Sequence, residues 1–161
     1  MRRKNSIKSM RVLSIAQPWA SCIVSKGKNV ENRSWSTKFH GYFAIHASQS
    51  KDPDRLEYCY ESHIRLNPEQ LPFGAIVGFA ELVEVITKKD VTRKTEKWFQ
   101  GEHGLVLANI IRLKNPISAK GSLGFWKLKR RKLRKCLEQL SATNLRKVVA
   151  KPLEHPLKKA A

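Results

Sequence analysis

The sequence predicts an α+β fold, a small mixed β-barrel with flanking helices, followed by a basic helical C-terminal extension. Three observations lead there. About five short apolar, strand-like segments alternate irregularly with two or three stretches of helical spacing, without the regular strand–helix–strand rhythm of a doubly wound parallel sheet. A chain of 161 residues suits one domain with tails and buries a substantial core. The charge is concentrated at the ends. Of the net +19, residues 1–11 contribute +5 and residues 127–161 contribute +10, leaving a nearly balanced middle. The expected organisation is a basic arm at 1–10, a folded domain at 11–130, and a basic helical extension and tail at 131–161.

Arg11 to Ile15 reads as a short strand. Pro18 suits the first turn of a helix, where its missing N–H costs nothing. Trp19, Cys22 and Ile23 give that helix one apolar face, and Gly27 ends it. Asn29 to Trp35 is extended, so Glu31, Arg33 and Trp35 share one face, with Lys28 at the junction where a turn aims it toward Glu31. Residues 42–48 form a strand with Tyr42, Ala44 and His46 on one face. Asp52 and Pro53 mark a helix start, with helical spacing to about residue 64. Residues 75–87 form the strongest strand, with Gly78 as a bulge. Residues 88–100 read as a short helix, 104–113 as a strand turned by Asn115-Pro116, and 120–128 as the closing segment. Leu133, Cys136, Leu137 and Leu140 then predict an amphipathic helix. A second helix spans about 142–150 with Ser141 as its N-cap. Pro152 and Pro156 leave a loose tail.

The basic ends attract polyanions through counterion release, and nucleic acid leads an anionic membrane surface as the partner class. Three widely separated cysteines and five scattered histidines, with no CxxC, argue against a disulfide framework and a zinc site and for a reducing compartment. No metal and no cofactor is expected. No apolar run is long enough to cross a bilayer, and the basic N-terminus has no apolar stretch behind it. A cytoplasmic monomer is expected, or a nuclear one in a eukaryote, and not a secreted protein.

The stretch from Gln17 to Ala47 concentrates the chemistry. Lys28 holds a phosphate as a point charge or, desolvated, acts as base or nucleophile. Glu31 and Arg33 form either a structural ion pair or an acid/base with an anion holder. Trp35 is favoured for ligand contact and Trp19 for the core. Gln17 caps a helix or bonds a base. His46 reads as buried and hydrogen-bonded, and Glu81 as a candidate second carboxylate. Outside this stretch, seven of the nine residues 127–135 are basic, including Lys129, Arg130, Arg131, Lys132, Arg134 and Lys135. They suit a nucleic-acid backbone or a nuclear import signal.

These segments, QPWAS at 17–21, KNVENRSW at 28–35 and HGYFAIHAS at 40–48, resemble the ASCH domain (activating signal cointegrator homology), a branch of the PUA-like β-barrel superfamily. The family's G-x-K-x-x-E-x-R pattern is similar to residues 26–33: Lys28, Glu31 and Arg33 match, while Lys26 stands at the first glycine and Gly27 follows it. VLSIAQPWA at 12–20, GAIVGFAEL at 74–82 and GFWKL at 124–128 support the resemblance, which covers about residues 11–130. It implies a cleft beside the charged trio and a link to RNA or DNA. The leading reading is an RNA-binding module (DNA second) holding unpaired nucleotides there, with the basic ends adding nonspecific affinity. The alternative is a metal-independent hydrolase of RNA or of an acetylated or modified cytidine, using Lys28 and Glu31. A further alternative is a protein-interaction module of a transcription or translation assembly.

Overall fold

The computed structural model describes residues 7–51 and 53–150. The expected Asp52 cap, most of the basic arm and the tail beyond residue 150 lie outside the described residues. One six-stranded sheet forms the body. Its strands are β1 (Met10–Ile15), β2 (Val30–Arg33), β3 (Gly41–Ala47), β4 (Ala75–Ile86), β5 (His103–Ser118) and β6 (Phe125–Leu128), in the order β2-β5-β4-β3-β1-β6. Among the described residues β1 and β3 run parallel, and the other four pairings are antiparallel.

The helices are α1 (Trp19–Ser25), α2 (Pro53–Glu61), α3 (Arg130–Leu137) and α4 (Ala142–Val149). The core follows the strand alternation. On one side Val12, Ala44, Ile76 and Phe79 pack with Leu133 and Cys136 of α3 and Val148 of α4. On the other, Leu13, Ile15, Phe43, Ile45 and Leu105 pack with Ala20 and Ile23 of α1. Fully burying each Val, Leu, Ile or Phe among these stabilises the fold by roughly 1.5–3 kcal/mol.

The expected barrel does not close. Closure requires the two end strands to pair, and among the described residues no ladder joins β2 to β6. The strand β6 pairs with β1 only from Met10 to Leu13, which leaves the Ser14 carbonyl to accept from Arg33 Nη2 at 2.8 Å. Trp35, just beyond β2, meets Phe125 of β6 edge-on at 5.9 Å. Side chains thus bridge a seam that a barrel would seal with backbone.

The expected turn at Asn115-Pro116 is also corrected: β5 runs through it to Ser118. The register against β4 jumps there, from Gly78↔Arg112 to Ile76↔Ile117, so Pro116 lies in a bulge and removes no ladder hydrogen bond. Gln139, past the end of α3, stands in for the missing strand: its Oε1 accepts from Asn115 N and its Nε2 donates to Asn115 O, both at 2.9 Å. The expected helix at 88–100 is a single 3-10 turn at Lys88–Asp90 followed by hydrogen-bonded turns. A Thr87–Asp90 capping box holds the start of that turn, and the backbone turns extended at Val91, which ends it. The helix α2 stops at Glu61, where His63 takes a positive φ of 58°.

Candidate functional site

The end of α1 sets the site. Gly27 adopts φ +72°, and the Lys26 and Lys28 amides both donate to the Cys22 carbonyl, at 2.9 and 3.1 Å. This tight turn needs the residue without a Cβ at position 27. It swings Lys28 back under β2, where Nζ donates to the Val30 carbonyl and lies 3.5 Å from Glu31 Oε2. The second carboxylate oxygen, Oε1, is 3.2 Å from Arg33 Nη2. Glu31 is therefore shared between two cations, one on each oxygen.

Lys28 is only 3% exposed. Its ammonium sits 5.6 Å from the ring centres of both Trp19 and Trp98. Burial pulls it below the ordinary lysine value of 10.5, and Glu31 offsets part of that shift. The Arg33 guanidinium lies 5.7 Å from the Trp35 ring, and its Nε finds no hydrogen-bond partner among the described residues.

Lys28, Glu31 and Arg33 line an open cleft of about 460 Å³. Trp19 and Trp98 form one part of the wall, and α2 adds Arg55 and Tyr58. Tyr58 stands edge-on to Trp19 at 5.7 Å. Ser14, Ser48, Asn32 and Gln100 supply polar groups, and Ser122, Leu123 and Gly124 form a rim ahead of β6. The lining carries three cations, Lys28, Arg33 and Arg55, against the single carboxylate of Glu31.

From Ser14 of the lining a half-buried relay runs inward: Trp126 Nε1 donates to Ser14 Oγ at 3.0 Å, and a 3.0 Å bond joins Ser14 Oγ to the buried His46 Nδ1. His46 Nε2 is 2.8 Å from the Ala119 carbonyl, so Nε2 carries the proton and Nδ1 accepts from the serine. Burial moves the His46 imidazole below 6.5. Behind the wall, Cys22 and Cys59 lie 3.9 Å apart, both buried, and burial pushes the Cys22 thiol up to about 12. No group of histidines, cysteines and carboxylates suited to a metal occurs among the described residues.

The structure brings Lys28, Glu31 and Arg33 together. It places Trp35 outside the cleft lining, against Phe125 and Arg33, while Trp19 packs against the core, as its helix face predicts, and also lines the cleft. Gln17 is buried away from the cleft: Oε1 accepts from Ser21 N at 3.1 Å, and Nε2 donates to the Pro72 carbonyl at 2.7 Å. Glu81 accepts from Asn109 Nδ2 at 2.7 Å and does not line the cleft. Lys129, Arg130, Arg131, Arg134 and Lys135 are exposed and Lys132 is half-buried. Arg55, Tyr58 and Trp98 escaped the sequence reading. Two signals pointed to them: the i, i+3 spacing of Arg55 and Tyr58 on one helix face, and a lone tryptophan in the polar loop before β5.

The model of the ASCH domain matches residues 13–154, which takes in the cleft, the sheet and both C-terminal helices. The chain belongs to the ASCH domain family. It is 32% identical over 84 residues to human activating signal cointegrator 1, and 26% identical over 130 residues to the mouse protein of that name. These matches cover 48% and 72% of this chain but only 14% and 22% of the relatives, so the chain spans less than a quarter of their length. In fold it is similar to the crystal structure of ASCH from Zymomonas mobilis. The TM-score is 0.50 and the identity 16%, covering 81% of this chain and 95% of that one. Among the described residues no helix of this ASCH domain is long and apolar enough to cross a membrane.

Proposed function

We propose that this ASCH domain is a nucleic-acid-binding module, for RNA ahead of DNA. Its cleft takes one or two unpaired nucleotides, and its basic ends add affinity independent of sequence. The observation that carries this reading is the cleft's composition. Tyr58 and Trp19 offer aromatic surface for a base, with Trp98 buried behind them. Lys28 and Arg33 share the one carboxylate of the lining, Glu31, which leaves net positive charge there for a phosphate. The volume falls within the roughly 300–1,000 Å³ of small-ligand pockets, and a duplex does not fit such a space.

The test is binding of single-stranded and duplex oligonucleotides across a salt series. Replacing Lys129, Arg130, Arg131, Lys132, Arg134 and Lys135 with glutamine is expected to weaken binding to every sequence. The slope of log K against log salt should fall by about 0.7 for each single-strand phosphate that the protein no longer neutralises. Tyr58→Ala is expected to remove about 1–3 kcal/mol of single-strand binding and leave the slope unchanged. Equal affinity for duplex and single strands, with no effect of Tyr58→Ala, would remove the cleft from the binding surface.

A second reading, a hydrolase of RNA or of an acetylated or modified cytidine, is favoured by one observation. Lys28 is a buried ammonium held below its ordinary range beside a carboxylate, the setting of a lysine that gives up its proton. Turnover of such a substrate without added metal, abolished by Lys28→Ala, would support it. Absence of turnover, or turnover that survives Lys28→Ala, counts against it.

A further inference from the structure

We propose that Leu123 is an apolar wedge at the mouth of the cleft. It would enter between the base held inside and the next base of the strand and fill the place of the broken stack. The proposal rests on the nucleic-acid reading above and deepens it.

Three large hydrophobic residues stand out as exposed among the described residues: Tyr58 at 39%, Tyr60 at 49% and Leu123 at 96%. Two of the three, Tyr58 and Leu123, line the cleft. Scattered exposed leucines are ordinary. Leu123 differs because the chain on either side of it is pinned. On the N-terminal side, Ala119 N donates to the Gly74 carbonyl at 2.9 Å, and the Ala119 carbonyl accepts from His46 Nε2. Gly121 then lies against the relay so closely that a Cβ there would stand 2.6 Å from His46 Cε1 and 2.8 Å from Ser14 Oγ. On the C-terminal side, Gly124 turns the chain at φ +59° into β6, which is locked to β1 through Leu13↔Phe125 and Val12↔Trp126.

Ser122 and Leu123 are thus held out between two anchors, and the leucine contributes almost nothing to the packed core. A nucleotide that leaves a single strand for a closed site must break its stack on the neighbouring base. Proteins that separate stacked bases do so with an apolar side chain placed at the step. Leu123 has that chemistry and that position, and Tyr58 on the same lining is exposed to meet the captured base.

The test compares oligoadenylate, whose bases stack strongly, with oligouridylate, whose bases stack little, in titrations of the full chain. The substitutions are Leu123→Ser, at a position whose exposure spares the fold, and Arg55→Ala as a cleft variant. The expected result is that Leu123→Ser weakens oligoadenylate binding by about tenfold and oligouridylate binding by about twofold, the first being the size of a stack on a base and the second that of a trimmed apolar surface. Wild-type protein should also reduce the adenine-stacking circular dichroism band of bound oligoadenylate, and Leu123→Ser should leave it intact. Equal weakening on the two strands, or no weakening with Leu123→Ser while Arg55→Ala affects both, would overturn the wedge and keep the cleft. No measurable binding, or binding that ignores both substitutions, would overturn the cleft reading and the wedge with it.

Discussion

Lys28 and Glu31 stand 3.5 Å apart with side chains 3% and 9% exposed, while Arg134 and Glu138 on α3 stand 3.4 Å apart with side chains 74% and 64% exposed. The separations are almost equal and the surroundings are opposite. Water already solvates the α3 pair, so its mutual attraction adds little. The cleft pair has given up its water, and each charge there depends on its protein partners. Distance alone says nothing about what an ion pair contributes; the burial of its atoms decides it. The two regions therefore suit different tasks, a shaped and fixed charge set in the cleft and a broad solvated field on the helices.

Glu31→Ala tests the contrast most severely. It strands the buried Lys28 ammonium, and a loss of about 3–5 kcal/mol in denaturant unfolding is expected. Removing both charges in Glu31→Ala with Lys28→Met should recover part of that loss, and a double variant no better than the single would deny the pairing. A smaller effect is expected from the relay that runs inward from the cleft. His46 has its folded value below 6.5, so the unfolded chain takes up the proton first as the solution is acidified. Its contribution is complete above pH 6.5 and is lost as pH falls toward and through the lowered folded value. The melting temperature should decline over that interval, and His46→Gln should flatten the decline. Smallest of all, Arg134→Ala should change stability by about 0.5 kcal/mol or less. A cost above that would mean the exposed pair behaves like the buried one.

Much of this arrangement was legible in the residues. Strand alternation placed Glu31 and Arg33 on one face, and the turn at Gly27 does bring Lys28 to them. The apolar spacing of Leu133, Cys136 and Leu137 placed α3, and Ser141 caps α4 by accepting from Asn144 N. The α+β character followed from the same periodicities. What escaped depended on contacts distant in sequence. Within the Pro116 bulge the backbone of Asn115 finds its partners on Gln139, and no local pattern announces that pairing. The open seam depends on Arg33 meeting a carbonyl 19 residues away, where propensity alone suggested closure. Trp98 reaches the cleft from a loop whose polar composition hides it. The partners of Gln17 show why residue type is ambiguous in a motif, since both its Nε2 and its Oε1 are engaged in holding α1 and the Pro72 loop.

The Gln139 clamp also bears on how the two charged regions act together. Because its amide bonds both backbone groups of Asn115, and Leu133, Cys136 and Val148 sit in the core, α3 and α4 are not carried on a tether. Under the proposed nucleic-acid reading, the helical cations would keep one fixed position relative to the cleft, with no linker to average over. A strand bound by both surfaces would then show a sharp dependence on length: strands too short to reach both would gain nothing from the helices, and the first length to reach both would gain avidity in a single step.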